Sequence, residues 1–132
     1  MKKMRKSTSY LLDTNIFLWW LDDVKQLKEF VRQIIENRRN KIYISIASAW
    51  EISIKNKIGK LPLKAGLKQI FKSPDFELLN VDLNHILALD KLPLLHRDPF
   101  DRLLVSQAKM EKFTLITSDP KIKMYRVNLL LV

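Results

Sequence analysis

The sequence predicts an α/β domain with a mostly parallel central sheet. Short apolar runs of strand length alternate with helix-periodic segments along the whole chain. Helices placed between successive strands leave room for crossover connections and cover both faces of a parallel sheet. A chain of 132 residues, 47% hydrophobic and with only two glycines, suits a single packed domain over residues 1–132.

Tyr10-Leu11-Leu12 reads as a first buried strand. Ile16 to Leu21 follows as a short helix capped by Thr14 or Asn15. From Val24 to Arg38 the spacing predicts an amphipathic helix with Leu27, Val31, Ile34 and Ile35 on one face. Ile42-Tyr43-Ile44 is the second strand, and a helix from about Ala47 to Ile58 stops at Gly59. A short helix around Ala65 to Phe71 precedes a strand at Phe76 to Leu79. Leu83 to Leu89 and Pro99 to Lys112 are helical, the second strongly so. Thr114 to Thr117 is a strand, and Val127 to Val132 forms an edge strand.

The absence of cysteine excludes a disulfide framework and any thiolate zinc site. His85 and His96 are too few for a histidine-rich centre, so a bound metal must be a hard cation held by oxygens. The 24 basic residues exceed the 14 acidic ones by ten. This excess is spread along the chain and favours a polyanion, nucleic acid above all. Met1 to Lys6 resembles the charged start of a signal peptide. The next apolar stretch, Tyr10 to Leu21, is broken by Asp13 and Asn15 and lacks a small-residue cleavage site. No apolar run approaches a membrane span, and a cytoplasmic protein is expected.

Four acids are candidates for the chemistry, although Asp13 and Asp119 taken singly can equally serve to turn the chain or cap a helix, and Asp98 and Asp101 can serve the start of theirs. Asp13 ends the first strand and Asp119 follows the Thr114–Thr117 strand, and functional groups of parallel sheets gather beyond strand carboxyl ends. Glu51 falls on the apolar stripe formed by Ala47, Trp50, Ile54 and Ile58, where a carboxylate needs a metal or a buried partner. Pro99 suits a first helical position, which makes Asp98 the helix cap and places Asp101 three residues later, flanking the buried side. In a parallel sheet all four acids can meet at one edge. Clustered carboxylates repel each other and phosphate, and one or two Mg²⁺ or Mn²⁺ ions reverse that charge.

At these positions the sequence resembles the PIN-domain family, and specifically the VapC-type toxins of toxin–antitoxin pairs. The matching segments are Leu11-Leu12-Asp13-Thr14-Asn15, Ser48-Ala49-Trp50-Glu51-Ile52, Gly59-Lys60-Leu61, His96-Arg97-Asp98-Pro99-Phe100-Asp101-Arg102-Leu103-Leu104 and Thr117-Ser118-Asp119. The resemblance implies a three-layer α/β/α sandwich and Mg²⁺- or Mn²⁺-dependent cleavage of RNA. It carries over Asp13, Glu51, Asp101 and Asp119 as the acidic site, Asp98 as an adjacent candidate ligand, and Thr14, Asn15 and Ser118 as supporting positions. Asn15 stands where many relatives carry His. The family further implies a homodimer and a cognate antitoxin.

Two other classes compete. An Asp-based phosphatase of the haloacid-dehalogenase type wants a second Asp where Asn15 stands, and a phospho-acceptor receiver wants a Lys where Ser118-Asp119 stand. A non-catalytic nucleic-acid-binding module explains the charge but not Glu51. His96 reads as a hydrogen-bonding loop residue rather than an acid or base, and Trp19-Trp20 as packing rather than a base-stacking platform. Arg38-Arg39 and Lys55, Lys57 and Lys60 read as solvated faces that can track phosphates.

Overall fold

The computed structural model describes residues 8–132 apart from 62 and 64, so the basic Met1 to Lys6 stretch lies outside the described residues. Five strands form one sheet in the order β3-β2-β1-β4-β5. They are β1 (Ser9–Leu12), β2 (Lys41–Ser45), β3 (Glu77–Leu79), β4 (Thr114–Thr117) and β5 (Leu129–Leu131). Every neighbouring pair is parallel, with Leu12 opposite both Ile44 and Ile116. The central β1 is thus where the strand order reverses, and a crevice opens at such a point beyond the carboxyl ends.

Period-two alternation divides the core between the two sheet faces. Leu12, Ile42, Ile44 and Ile116 face one cluster with Ile16, Phe17, Val31 and Ile52. Leu11 and Leu115 face the other, with Leu104, Val105, Ala108 and Ile122. The first face is covered by α1 (Thr14–Asp22), α2 (Glu29–Glu36), α3 (Ile46–Lys57) and α4 (Leu67–Phe71). On the second face lies α6 (Pro99–Glu111), against which α5 (Leu83–Lys91) packs. The buried His85 ties these two helices together through a 2.9 Å contact between Nε2 and Glu111 Oε2. Sheet and helices make the three-layer α/β/α sandwich. Among the described residues no helix is long and apolar enough to cross a membrane.

Several boundaries differ from expectation for identifiable reasons. Asp13, not Thr14 or Asn15, caps α1, since its carboxylate accepts from the Ile16 amide at 2.8 Å. Its short side chain, held in extended backbone, reaches the free first-turn donors. The helix expected over 24–38 is confined to Glu29–Glu36, because Asp23 takes a left-handed conformation (φ 51°) that ends α1, and turns follow. Arg32 anchors that corner by pairing with Asp23 at 2.5 Å. A 3₁₀ helix over Pro120–Met124 was not expected; Asp119 caps it through the Lys121 amide. Trp20 packs edge-on against Phe76, with centroids 6.5 Å apart, as part of the core margin.

Candidate metal centre

The parallel register sets the site. Asp13 leaves β1 beside the ends of its two neighbours, and its amide donates to Ile116 O of β4 at 2.9 Å. Its carboxylate is 4% exposed, capping α1 with one oxygen and accepting from the Thr117 hydroxyl with the other. The nearby Ser118 amide also favours its charged form. Burial raises the Asp13 carboxyl to about 6 despite these donors, and the charge of Glu51 adds to the rise.

Ser45, the last residue of β2, caps α3 and so starts that helix at the same edge. Glu51 is buried, but not on the stripe expected for it. Trp50 and Ile58 are 64% and 60% exposed, and Ile54 is exposed as well; the inward arc is Ala47, Ser48, Glu51 and Ile52. Apolar residues occupy most of the circumference of α3, so helical periodicity did not single out the buried arc. Glu51 is compensated on both oxygens. The Thr14 hydroxyl donates to Oε1 at 2.6 Å and shares a 2.9 Å bond with the Ser48 hydroxyl, while Lys55 Nζ lies 2.9 Å from Oε2. The partners of Glu51 are therefore the buried Thr14 hydroxyl and the half-exposed Lys55, one helical turn on, which the charge pattern had placed on a solvated face.

α6 precedes β4, which brings its N-terminus to the same edge. Asp98 caps it, accepting from the amides of Phe100 (2.9 Å) and Asp101 (3.2 Å). Asp101 is half-buried and raised to about 7, first by desolvation and then by the charges of Asp98, Asp13 and Glu51, against the opposing pull of His96. Asp119 is drawn below the ordinary carboxylate range: burial opposes this, but the Lys121 amide and His96 outweigh it.

His96 sits between two of the acids. Its Nε2 is 2.8 Å from Asp119 Oδ2 and 3.0 Å from Asp101 Oδ2. Its Nδ1 accepts from the Asp98 amide at 3.3 Å, and its own amide donates to the Tyr125 hydroxyl at 3.0 Å. Among the described residues, Asp101, Asp119 and His96 are close enough to share one ion, whereas Asp13 and Glu51 act on Asp101 through their charges. Asn15 faces solvent, and Ser118 is half-buried. Thr117, Ser48, Lys55 and the bridging place of His96 were not anticipated as parts of the site. A Thr at the end of the strand that precedes Asp119 was the available signal for the first.

The donor set fits a hard divalent cation: carboxylate oxygens dominate it, and Asp101 carries like-charge repulsion that a cation would relieve.

The PIN-domain family model matches residues 10–128. Among solved structures, a chain of the VapBC2 complex from Rickettsia felis, bound to a DNA fragment from its promoter, superposes with a TM-score of 0.70 at 22% identity, over 95% of this chain and 98% of that one. A chain of a toxin–antitoxin complex from Klebsiella pneumoniae gives 0.65 at 17% identity, over 92% and 95%. No curated protein matches the chain. With a family match over residues 10–128, nearly its full length, the chain belongs to the PIN-domain family.

Proposed function

We propose that this protein is a metal-dependent endoribonuclease, the toxin of a toxin–antitoxin pair, that hydrolyses RNA phosphodiesters at its acidic edge. The observation that carries the reading is the convergence on Asp101, whose carboxyl is raised to about 7 by burial and by the charges of Asp98, Asp13 and Glu51. Beyond the helix caps they form, these acids repel one another at Asp101, and a bound cation would relieve that repulsion. PIN domains are generally metal-dependent nucleases, and two structures with this fold come from toxin–antitoxin complexes. A cognate antitoxin, a homodimer and a cytoplasmic location belong to the same reading.

Asp101 and Asp119 would hold Mg²⁺ or Mn²⁺, with Asp13 and Glu51 adding negative charge and Asp98 adjacent. Such an ion supplies, when bound, positive charge for an approaching polyanion and electrophilic assistance to hydrolysis. The chain's own residues do the rest. Thr117 and the Ile16 amide fix Asp13, Thr14 and Lys55 fix Glu51, and Asp98 orients the first turn that carries Asp101. The excess of ten basic residues attracts the RNA.

Incubation of labelled RNA with the protein and Mn²⁺ tests the proposal. Cleavage that EDTA stops, and that Asp13→Asn, Glu51→Gln and Asp101→Asn each abolish in folded protein, is the expected result. Wild-type rates in two folded variants would overturn the site assignment. Binding without cleavage would favour the non-catalytic module, and neither binding nor cleavage the phosphatase or phospho-acceptor class.

A further inference from the structure

We infer that His96 is a placeholder for the cation: in the metal-free protein its Nε2–H holds Asp101 and Asp119 together, and metal binding displaces it. The inference rests on the metal-centre reading above and concerns a residue outside its acidic set.

Nδ1 of His96 accepts from the Asp98 amide, so the proton of the neutral ring is on Nε2. That single N–H faces two carboxylate oxygens, Asp119 Oδ2 at 2.8 Å and Asp101 Oδ2 at 3.0 Å. One hydrogen shared between two acceptors satisfies neither fully. An Mg²⁺ ion binds oxygens at about 2.0–2.1 Å, so an ion bridging the same two oxygens must take the space where this hydrogen lies. The ring cannot serve as a ligand in its present setting, because Nε2 carries the proton and Nδ1 is engaged.

The loop keeps the ring in place from behind. The amides of Leu95 and His96 both donate to the Tyr125 hydroxyl, at 3.2 and 3.0 Å. Tyr125 is 5% exposed and packs in the core cluster of α6, so the bridge is anchored to the body of the protein. Without metal, the imidazole keeps the two acids together, with the three candidate ligand atoms within 4.8 Å of one another. His96 is on this view a positioning residue, and it competes with the ion it prepares for.

The test is metal affinity, read by calorimetry with Mn²⁺ alone and no RNA. Removing the competing donor in His96→Ala should tighten Mn²⁺ binding about five-fold or more, the factor that corresponds to roughly 1 kcal/mol, and lower the metal-free melting temperature. His96→Gln, whose amide returns an N–H near the Nε2 position, should restore binding close to the wild-type value. On the wild type, the ring ¹⁵N resonances should show the Nε2–H losing its carboxylate contact as Mg²⁺ is added, which keeps the question decidable if the alanine variant fails to fold. Weaker Mn²⁺ binding in His96→Ala would make the ring a ligand and overturn the inference. Unchanged affinity, or Nε2 signals indifferent to saturating Mg²⁺, would overturn it as well. If the wild type binds no divalent ion, the metal-centre reading itself falls and takes this one with it.

Discussion

The hydroxyl of Thr117 donates to the carboxylate of Asp13, joining the ends of two adjacent parallel strands across 104 residues of sequence. Both residues are buried, so the bond is made where water cannot replace it. Thr117→Val keeps the shape and removes the donor. It should cost about 1–3 kcal/mol of stability, since a buried acceptor is left short of a partner. It should also push the Asp13 carboxyl above its present value of about 6, because the lost bond favoured the charged form. Denaturant unfolding and an NMR titration of the Asp13 carboxyl check both; an unmoved titration would show that Thr117 does not tune Asp13.

Asp101→Asn removes one charge from a crowded edge. The metal-free variant should be as stable as the wild type or more so, because burial and three neighbouring carboxylates oppose the charged form of Asp101. The stabilisation that Mn²⁺ gives the wild type should disappear. Thermal melts with and without Mn²⁺ decide this, and an undiminished Mn²⁺ shift counts against Asp101 as a ligand.

The raised acids set a pH dependence. Asp13 and Asp101, at about 6 and about 7 in the folded chain, retain protons that the unfolded chain releases near a pKa of ~3.9. The folded state therefore binds more protons between about pH 4 and pH 7, and metal-free stability should fall as pH rises through that window. Asp119, shifted the other way, contributes stability that is lost only at lower pH. Mn²⁺ affinity should rise over the same window as the carboxyls ionise. Unfolding in EDTA at stepped pH tests the sign; stability that climbs from pH 5 to 7 would contradict it, and Asp101→Asn should flatten the slope.

Lys55 is about half exposed at its side chain while its partner Glu51 is buried. Lys55→Met keeps the aliphatic stem and leaves that carboxylate with Thr14 alone. The cost should be about 2 kcal/mol, between the ~1 kcal/mol of an exposed pair and the ~3–5 kcal/mol of breaking a fully buried one. The double variant Lys55→Met with Glu51→Gln should recover most of it. A double-mutant cycle with no coupling would show that the pair is incidental.

On the proposed reading, Asp98 serves the helix and Asp101 the chemistry. Asp98 accepts two first-turn amides, so Asp98→Ser, which retains a capping oxygen, should keep the fold and measurable cleavage. Asp101→Ser should keep the fold and lose cleavage. Thermal stability and single-turnover cleavage of both variants are needed. Cleavage lost in Asp98→Ser but retained in Asp101→Ser would reverse the assignment.

What the sequence determined by itself was local. Strand and helix identities followed from apolar period, and the Asp98-Pro99 cap of α6 from first-turn chemistry, because both depend on neighbours a few residues away. The parallel sheet followed from element alternation, and with it the expectation that acids after β1 and β4 share an edge. Tertiary structure decided the rest. Which arc of α3 is buried depends on what it meets, and it turns Glu51 inward while leaving Trp50 and Ile58 in solvent. The partners Asp13 with Thr117, Glu51 with Thr14, and His96 with Asp101 and Asp119 depend on strand order and on where the loops return. Sequence periodicity reports which residues favour burial, but hydrogen bonds and charge pairs form between whichever groups the chain topology sets within about 3 Å, and that distance is a property of the whole fold.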